Sequence, residues 1–246
     1  MKVKIIYFLL FLVILFSPAT VLSTIINGGF ESSNWSGWIV DIPWGVSEFP
    51  PFDRPAGSAE VVSEFNFYDI NIGEAARILP ASGDYFLSLA TGDEWFTGNE
   101  PLGSVQITAR QSMILNKGDK ISGWVSFYNG DYEAQDTGWI VIEDETGDAR
   151  IKIWEEYSGS SAIPYTSATP WAYWEWIAPS SDMFTVTFGV STGGDNRFTT
   201  QAFHDDLCVT PVPEPPTIKL LGLGLAVLVF ISRKNPGGNS KIRGIL

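Results

Sequence analysis

The sequence predicts an all-β domain built as a sandwich of two packed sheets, and three observations carry this prediction. Apolar side chains alternate with polar ones over short segments, so that Phe184, Val186 and Phe188 fall on one face. Clusters of Gly, Asn, Asp and Ser separate these segments. Helical periodicity is almost absent from the central part of the chain. Because a sheet buries one face only against a second layer, these segments indicate a β-sandwich.

The acidic run at 143–148 predicts the turn of a β-hairpin, because Gly and Asp favour tight turns between strands. In the strand that follows, Arg150 and Lys152 are expected to face outward, and Ile151 and Ile153 inward. A tight turn joins neighbouring antiparallel strands. The two flanking segments are therefore expected to lie side by side in one sheet.

The first 23 residues carry the pattern of a secretory signal peptide. Lys2 and Lys4 are followed by an uncharged run at 5–16, which is too short to span a bilayer. We place the cleavage after Ser23, so the exported domain covers residues 24–211. An uncleaved N-terminal anchor is the alternative, and it is disfavoured because no long apolar span follows.

The charge of the chain is concentrated in its exported part. All 28 acidic residues lie between residues 24 and 216, whereas seven of the 15 basic residues lie outside this range, which leaves a net charge of −20 inside it. A surface of this sign repels nucleic acid and anionic lipid, and it favours solubility and the binding of cations. Nucleic-acid binding is therefore excluded as a function class.

The chain has one cysteine and one histidine, Cys208 and His204. A lone cysteine forms no intramolecular disulfide, so the domain must be stable through its core, with Cys208 expected as a small buried residue of the last strand. A Ser-His-Asp or Cys-His site would have to use His204, and a zinc site with three histidines is impossible. These counts restrict the enzymatic chemistry open to the domain.

The C-terminal part of the chain predicts a membrane-inserted segment. It divides into a proline-rich motif, a predicted transmembrane helix and a basic tail, at 212–216, 217–232 and 233–246. Proline fixes φ and donates no amide hydrogen, so the motif ends the last strand and forms a stiff spacer. Arg233 and Lys234 stop the transfer, because cations remain on the cytoplasmic side. The apolar run at 218–231 covers roughly 21 Å as a helix, so it requires local thinning of a bilayer about 30 Å thick.

This order of elements resembles the PEP-CTERM sorting signal of bacterial exported proteins. Val212, Pro213, Glu214 and Pro215 match its motif, and the helix and the basic cluster follow in the same order. The resemblance implies processing by an exosortase near Glu214, then delivery to the cell surface or to extracellular polysaccharide. An ordinary C-terminal membrane anchor is the alternative interpretation, and it requires only the hydrophobicity of the tail.

The start of the exported domain carries a second resemblance. The run Asn-Gly-Gly-Phe-Glu at 27–31, followed by Trp35 and Trp38, resembles the opening of galactose-binding-like jelly rolls, which include many carbohydrate-binding modules. Further segments resemble later strands of that fold in the same order, at 82–87, 174–176 and 204–207. The resemblance covers most of residues 24–210 and implies a jelly-roll β-sandwich, and it fixes no ligand.

In that fold the first and last strands lie close together, and the family often holds a structural calcium between them. Glu31, Asp205 and Asp206 supply carboxylate oxygens of the kind that Ca²⁺ prefers, beside backbone carbonyls of Gly28 and Gly29. The alternative is that Glu31 is a solvated charge and that the two aspartates only end a strand. The sequence leaves both interpretations open.

A second acidic group, Asp131, Glu133 and Asp136, is expected to form a loop with solvated charges. Its spacing lacks the Gly and Glu positions of an EF-hand loop. A metal site there is the alternative interpretation.

The ten tryptophans divide into two predicted groups. Those in segments rich in Pro, Gly or charge could be exposed and stack on the apolar faces of sugars: Trp44, Trp95, Trp171 and Trp174. Those with strand-like apolar neighbours are expected in the core: Trp35, Trp38, Trp124, Trp139, Trp154 and Trp176. Buried packing remains an open alternative for each member of the first group.

Together these features favour a non-catalytic, exported protein that associates with polysaccharide. A glycan-active hydrolase or lyase with a carboxylate pair is one alternative, although with 28 acidic residues some pair always falls close together. A self-associating surface-layer protein is another. Calcium is the only cofactor expected; the expected partners are an exosortase, a polysaccharide and, before processing, the membrane.

Overall fold

The computed structural model describes residues 25–48, 51–55, 57–92, 105–132, 136–147, 150–159, 163–193 and 199–212, with the backbone alone at 44–48 and 51–55. These residues form fifteen strands: β1 (Ile39–Asp41), β2 (Trp44–Glu48), β3 (Pro51–Pro55), β4 (Gly57–Val62), β5 (Phe65–Asp69), β6 (Glu74–Ile78), β7 (Phe86–Thr91), β8 (Gln106–Leu115), β9 (Lys120–Asn129), β10 (Thr137–Asp144), β11 (Arg150–Tyr157), β12 (Ser167–Ala168), β13 (Ala172–Ile177), β14 (Asp182–Ser191) and β15 (Gln201–Thr210).

The strands form two main antiparallel sheets. The five-stranded sheet has the order β1-β8-β14-β10-β11, and the six-stranded sheet has β9, β15, β7 and β4 in sequence, with β12 and β13 both paired to β9. Two short hairpins, β2–β3 and β5–β6, complete the strand pairing. The prediction of an all-β sandwich is confirmed.

The main core lies between the two sheets, because each strand turns alternate apolar side chains inward. Along β8 every second residue from Ile107 to Leu115 is buried. Phe184, Val186 and Phe188 of β14 all point into the core, as the alternation predicted. The opposite sheet contributes residues such as Leu87 to the same cluster.

The predicted hairpin is present, since β10 and β11 pair antiparallel through the turn after Asp144. A bulge between Ile140 and Val141 shifts the register of this pair. Ile151 pairs with the buried Ile142, so it lies on the inner face of the sheet as predicted. Its side chain is nevertheless 40% exposed, because β11 is an edge strand with solvent beside it.

A second, smaller hydrophobic cluster lies on the outer face of the six-stranded sheet. Phe86 and Phe203 point outward from β7 and β15, and the β5–β6 hairpin covers them with Phe65 and Phe67. Burial of these four rings accounts for the position of the hairpin against the sheet. The outer face of the five-stranded sheet carries polar side chains instead, as described below.

The two predicted addressing segments lie outside the described residues. Of the sorting motif, only Val212 is described, and its amide donates a hydrogen bond of 3.0 Å to Asp119 Oδ1. Pro213, Glu214, Pro215, Arg233 and Lys234 fall in the part of the chain that the structure does not describe. Within the described residues there is no helix of the length and apolarity needed to cross a membrane.

Candidate functional site

The outer face of the five-stranded sheet forms a polar platform. Strand pairing places Gln106, Ser191, Thr137 and Tyr157 in one row, and Thr108, Gly189, Trp139 and Glu155 in the next. A third row holds Arg110, Thr187, Val141 and Lys152, and a fourth holds Ser112, Thr185, Glu143 and Arg150. Hydroxyl, amide and charged groups therefore surround the indole of Trp139, with Tyr157 at the edge of the sheet.

The indole of Trp139 lies directly over Gly189 of the neighbouring strand. A Cβ atom at Gly189 would fall 2.3 Å from Trp139 Cε2 and Cζ2, so any larger residue would displace the ring. Trp139 was predicted to lie in the core, and this prediction is wrong: the side chain is partly exposed on the outer face. The glycine inside a strand is the signal that could have identified it, since such a residue marks a close approach.

A groove of about 440 Å³ runs beside this ring. Its lining combines the indole with hydroxyl, amide and charged groups, from Gln106, Thr137, Trp139, Val141, Arg150, Lys152, Glu155 and Ser191. Lys152 Nζ lies 2.5 Å from Glu155 Oε1, and Arg150 Nε lies 3.1 Å from Glu143 Oε1. These ion pairs hold the charged side chains at the rim of the groove, where each retains donors or acceptors for a ligand.

The chemistry of the groove fits a sugar. A pyranose ring presents an apolar C–H face that packs on an indole, and its hydroxyl groups need both donors and acceptors. The indole of Trp139 offers a surface for the apolar C–H face, and the polar rows around it offer the hydrogen-bond donors and acceptors. Of the predicted stacking group, the two tryptophans whose side chains the structure describes, Trp171 and Trp174, do not line this groove.

Trp174 was predicted as a possible stacking residue, and the structure corrects this. Its side chain is only 6% exposed and packs edge-on against Phe188 in the main core, with ring centroids 6.3 Å apart. Trp171 is partly buried: its ring meets Phe86 edge-on and its Nε1 donates a 2.8 Å hydrogen bond to the carbonyl of Leu79. The side chain of Trp44 and the whole of Trp95 lie outside the described residues.

Among the tryptophans predicted as core, Trp38 is confirmed, since it is buried and stacks on Phe188 with centroids 5.0 Å apart. Trp154 and Trp176 are partly buried and pack against the same cluster. Trp35 is 42% exposed, so the prediction for it is wrong. It lies in the turn-rich segment before β1 rather than in a strand.

Glu31 and Asp205 meet at one turn, that of residues 82–85. The carboxylate of Glu31 accepts hydrogen bonds from the amides of Asp84, at 3.1 Å, and Tyr85, at 3.3 Å. Asp205 Oδ2 accepts one from the amide of Ser82, at 3.0 Å. Gly83 is required between them, because its φ is +64° and a Cβ there would fall 2.1 Å from Glu31 Oε1.

The same region joins the two ends of the domain. The amide of Leu207 donates a 3.0 Å hydrogen bond to the carbonyl of Gly28, and a Cβ on Gly28 would fall 2.0 Å from Leu207 O. Asp206 has a φ of +51°, and its amide donates to Asp205 Oδ1. Burial raises the pKa of Asp205 to about 6.

This arrangement brings the predicted calcium ligands to neighbouring segments. The carboxylates of Glu31 and Asp205 both accept hydrogen bonds from amides of the 82–85 turn, and the carbonyl of Gly28 accepts one from the amide of Leu207, two residues beyond Asp205. Carboxylate and carbonyl oxygens are hard donors of the kind that Ca²⁺ prefers. Within the described ranges there is no set of three or more His, Cys, Asp or Glu side chains that could share a metal ion. The predicted set of Glu31, Asp205 and Asp206 is therefore not assembled there, and a calcium would depend on backbone carbonyls as well as on Glu31 and Asp205.

The second acidic group differs from its prediction as a solvated loop. Asp131 and Asp136 are both buried, while Glu133 lies outside the described residues. Asp136 Oδ1 accepts a 2.9 Å hydrogen bond from the amide of Gly193, and Oδ2 accepts one of 3.4 Å from the Thr91 hydroxyl. Burial raises the pKa of Asp136 to about 6, and the nearby charge of Asp131 adds to the shift.

His204 lies in the main core, stacked parallel on Phe188 with ring centroids 4.1 Å apart. Neither ring nitrogen has a hydrogen-bond partner among the described residues, and burial lowers the pKa of His204 to about 3. A catalytic histidine must reach its substrate and its partners. The one histidine of this chain reaches neither, so histidine-based catalysis is excluded.

Cys208 was expected to be buried, and this prediction is wrong. The thiol is exposed on β15, with Sγ 3.3 Å from the hydroxyl of Ser122. Register explains the difference, because a bulge between Asp205 and Cys208 shifts the pairing of β15 with β9.

Comparisons with known proteins return distant structural matches. No family model and no curated protein matches the sequence. Among solved structures, the chain is similar to TmCBM61 in complex with β-1,4-galactotriose, at 15% identity over 76% of this chain and 96% of the other, with a TM-score of 0.42. It is similar to the K1 cleaved adhesin domain of Lys-gingipain from Porphyromonas gingivalis W83, at 12% identity over 78% and 98%, with a TM-score of 0.41.

A third similar structure is the CBM22-1 xylan-binding domain of Xyn10C from Paenibacillus barcinonensis, at 13% identity over 79% of this chain and 95% of the other, with a TM-score of 0.38.

Proposed function

We propose that this protein is a non-catalytic, exported glycan-binding protein whose binding surface is the outer face of the five-stranded sheet. The observation that carries the proposal is the indole of Trp139, held over Gly189 and surrounded by rows of polar side chains. A flat aromatic ring bordered by donors and acceptors suits the two kinds of surface that a sugar presents. The galactose-binding-like jelly roll is part of the proposal, supported by the contact of Gly28 with β15.

Replacement of Trp139 tests the binding surface. We expect Trp139→Ala to weaken binding to the best ligand on a glycan array by at least tenfold, which is about 1.4 kcal/mol. Tyr173→Ala is the matched control, because Tyr173 is an exposed aromatic residue on β13 of the other sheet, and it should change binding less than twofold.

A hydrolysis screen on the same glycans completes this test. Equal binding by wild type and Trp139→Ala would show that the platform is not the site. Release of products by the wild-type chain would contradict a non-catalytic role and favour the hydrolase or lyase alternative.

The proposal includes a structural calcium held by Glu31, Asp205 and backbone carbonyls near Gly28. Binding to the folded state alone raises the melting temperature as calcium increases. We expect the wild-type chain to melt higher in millimolar calcium than in chelator, and Glu31→Ala to remove this difference. Glu60→Ala, an exposed glutamate on β4, should keep it. Identical melting curves of the wild type in calcium and in chelator would rule out the site.

The proposed destination is the cell surface or the extracellular matrix, with an exosortase cutting the chain near Glu214. The order of the motif, the apolar run and the basic tail supports this proposal. Intact-mass analysis of the protein from its native cells should give a mature C terminus between Pro213 and Pro216. Recovery only of chains ending at Leu246 in the membrane fraction would indicate an ordinary anchor.

A further inference from the structure

A second groove lies on the other side of the domain, between the β5–β6 hairpin and the outer face of the six-stranded sheet. It has a volume of about 630 Å³. Tyr128 of β9 and Gln201 of β15 lie on its sheet side, and Tyr68 lies on its hairpin side. Pockets of this size accommodate ligands of several rings.

The lining of the second groove is uncharged throughout, although residues 24–216 carry a net charge of −20. Phenol rings alternate there with amide and hydroxyl groups, from residues such as Asn66, Gln201, Thr166 and Thr199. Tyr68 is 59% exposed, so its ring is available to a ligand. Rings interleaved with neutral donors and acceptors suit a neutral sugar chain, whereas a charged ligand would find no opposite charge in the lining.

The groove is also held open in advance. The hairpin tip is fixed to the turn at 165–167, because the amide of Ile70 donates to Thr166 Oγ1 at 3.0 Å and Asn71 Nδ2 donates to the carbonyl of Tyr165 at 2.9 Å. The Ser167 hydroxyl adds a hydrogen bond of 3.1 Å to Asp69 Oδ2. A wall fixed before binding loses little conformational entropy when a ligand enters.

We infer that this groove is a second glycan-binding site, specific for neutral polysaccharide, and that the domain is a bivalent cross-linker. The inference rests on the proposed function, since it takes the platform around Trp139 as the first site. The outer faces of two stacked sheets point in opposite directions, so one chain bound on each face would leave the two chains bridged by the protein. Two sites on one domain also raise the avidity for a polymer that can reach both.

Calorimetric titration of the full-length chain with neutral hexasaccharides tests the inference, with cellohexaose, xylohexaose and mannohexaose as probes. We expect two binding events per chain for the hexasaccharide that binds. Trp139→Ala and Tyr68→Ala should each retain one event, and the double variant should retain none. Ile72→Ala is the control, because Ile72 is 64% exposed on the same hairpin but lies outside the lining of the groove.

The outcomes separate the two proposals. A single event that is lost in Trp139→Ala and unaffected by Tyr68→Ala would overturn the second site and leave the first intact. A single event lost only in Tyr68→Ala would overturn the platform as the site and retain the groove. Light scattering with hydroxyethylcellulose gives an independent measure of cross-linking: the wild type should aggregate the polymer, and either single variant should lose this activity. Absence of binding by every hexasaccharide and by the polymer would overturn both.

Discussion

When the pH falls from 7 to 4, we expect the free energy of unfolding of His204→Leu to rise by roughly 3 kcal/mol relative to that of the wild-type chain. The buried imidazole has a pKa of about 3 in the folded state, against an ordinary value of 6.5. Between these values the unfolded chain binds a proton that the folded chain does not. The wild type therefore loses stability as the pH falls through 6.5, and the variant lacks this loss.

Urea unfolding of both proteins at pH 7, 6, 5 and 4 measures the effect. His204 is the only histidine in the chain, so no other imidazole contributes to the difference. Carboxyl groups such as Asp205 titrate in both proteins and cancel when the two are compared. A difference that stays constant over this pH range would show that His204 takes up its proton with the same pKa in the folded and unfolded chain.

Asp136→Asn is expected to give the opposite pH dependence. Burial raises the pKa of Asp136 to about 6 in the folded state, above its ordinary value of 3.8. Between these values the folded chain holds a proton that the unfolded chain releases, so the wild type loses stability as the pH rises from 4 to 7. The variant should gain about 2 kcal/mol on the wild type over this interval, because its amide carries no charge to bury.

The same urea titrations measure this gain, and Asp182→Asn is the matched control. Asp182 is exposed at the start of β14, where it accepts a hydrogen bond from the adjacent amide of Met183. We expect this control, as an exposed substitution, to change the free energy of unfolding by less than about 0.5 kcal/mol at pH 7. If the stability difference between Asp136→Asn and the wild type stays constant from pH 4 to 7, the carboxylate of Asp136 is ionised in the folded protein without a cost.

Alternation along the chain was sufficient to predict the sandwich. Phe184, Val186 and Phe188 share a buried face because a period of two is a property of the strand itself. The β10–β11 hairpin was predicted from the Gly and Asp residues of its turn, which favour a tight connection between strands. Both are local features, so the residues within a few positions determine them.

The platform could not be predicted from local features, because it depends on which face of a strand meets the other sheet. Trp139 was predicted to be buried and Trp174 to be exposed, yet Trp139 is partly exposed and Trp174 is buried. The pairing of Trp139 with Gly189 decides the first case, and these residues are 50 positions apart in the sequence. Asp136 shows the same limit, since its burial depends on Thr91 and Gly193 from distant segments.

The position of β15 has a consequence for how the domain assembles. This last strand lies inside the six-stranded sheet, with β9 on one side and β7 on the other. Until residues 201–210 have been synthesised, β9 and β7 have no strand between them, and the Gly28 turn has no partner in Leu207. The sheet therefore cannot close progressively from the N terminus, and folding waits for contacts between the two ends of the domain, which are slow to form. The strand that completes the six-stranded sheet, β15, leaves the ribosome immediately before the proline-rich motif.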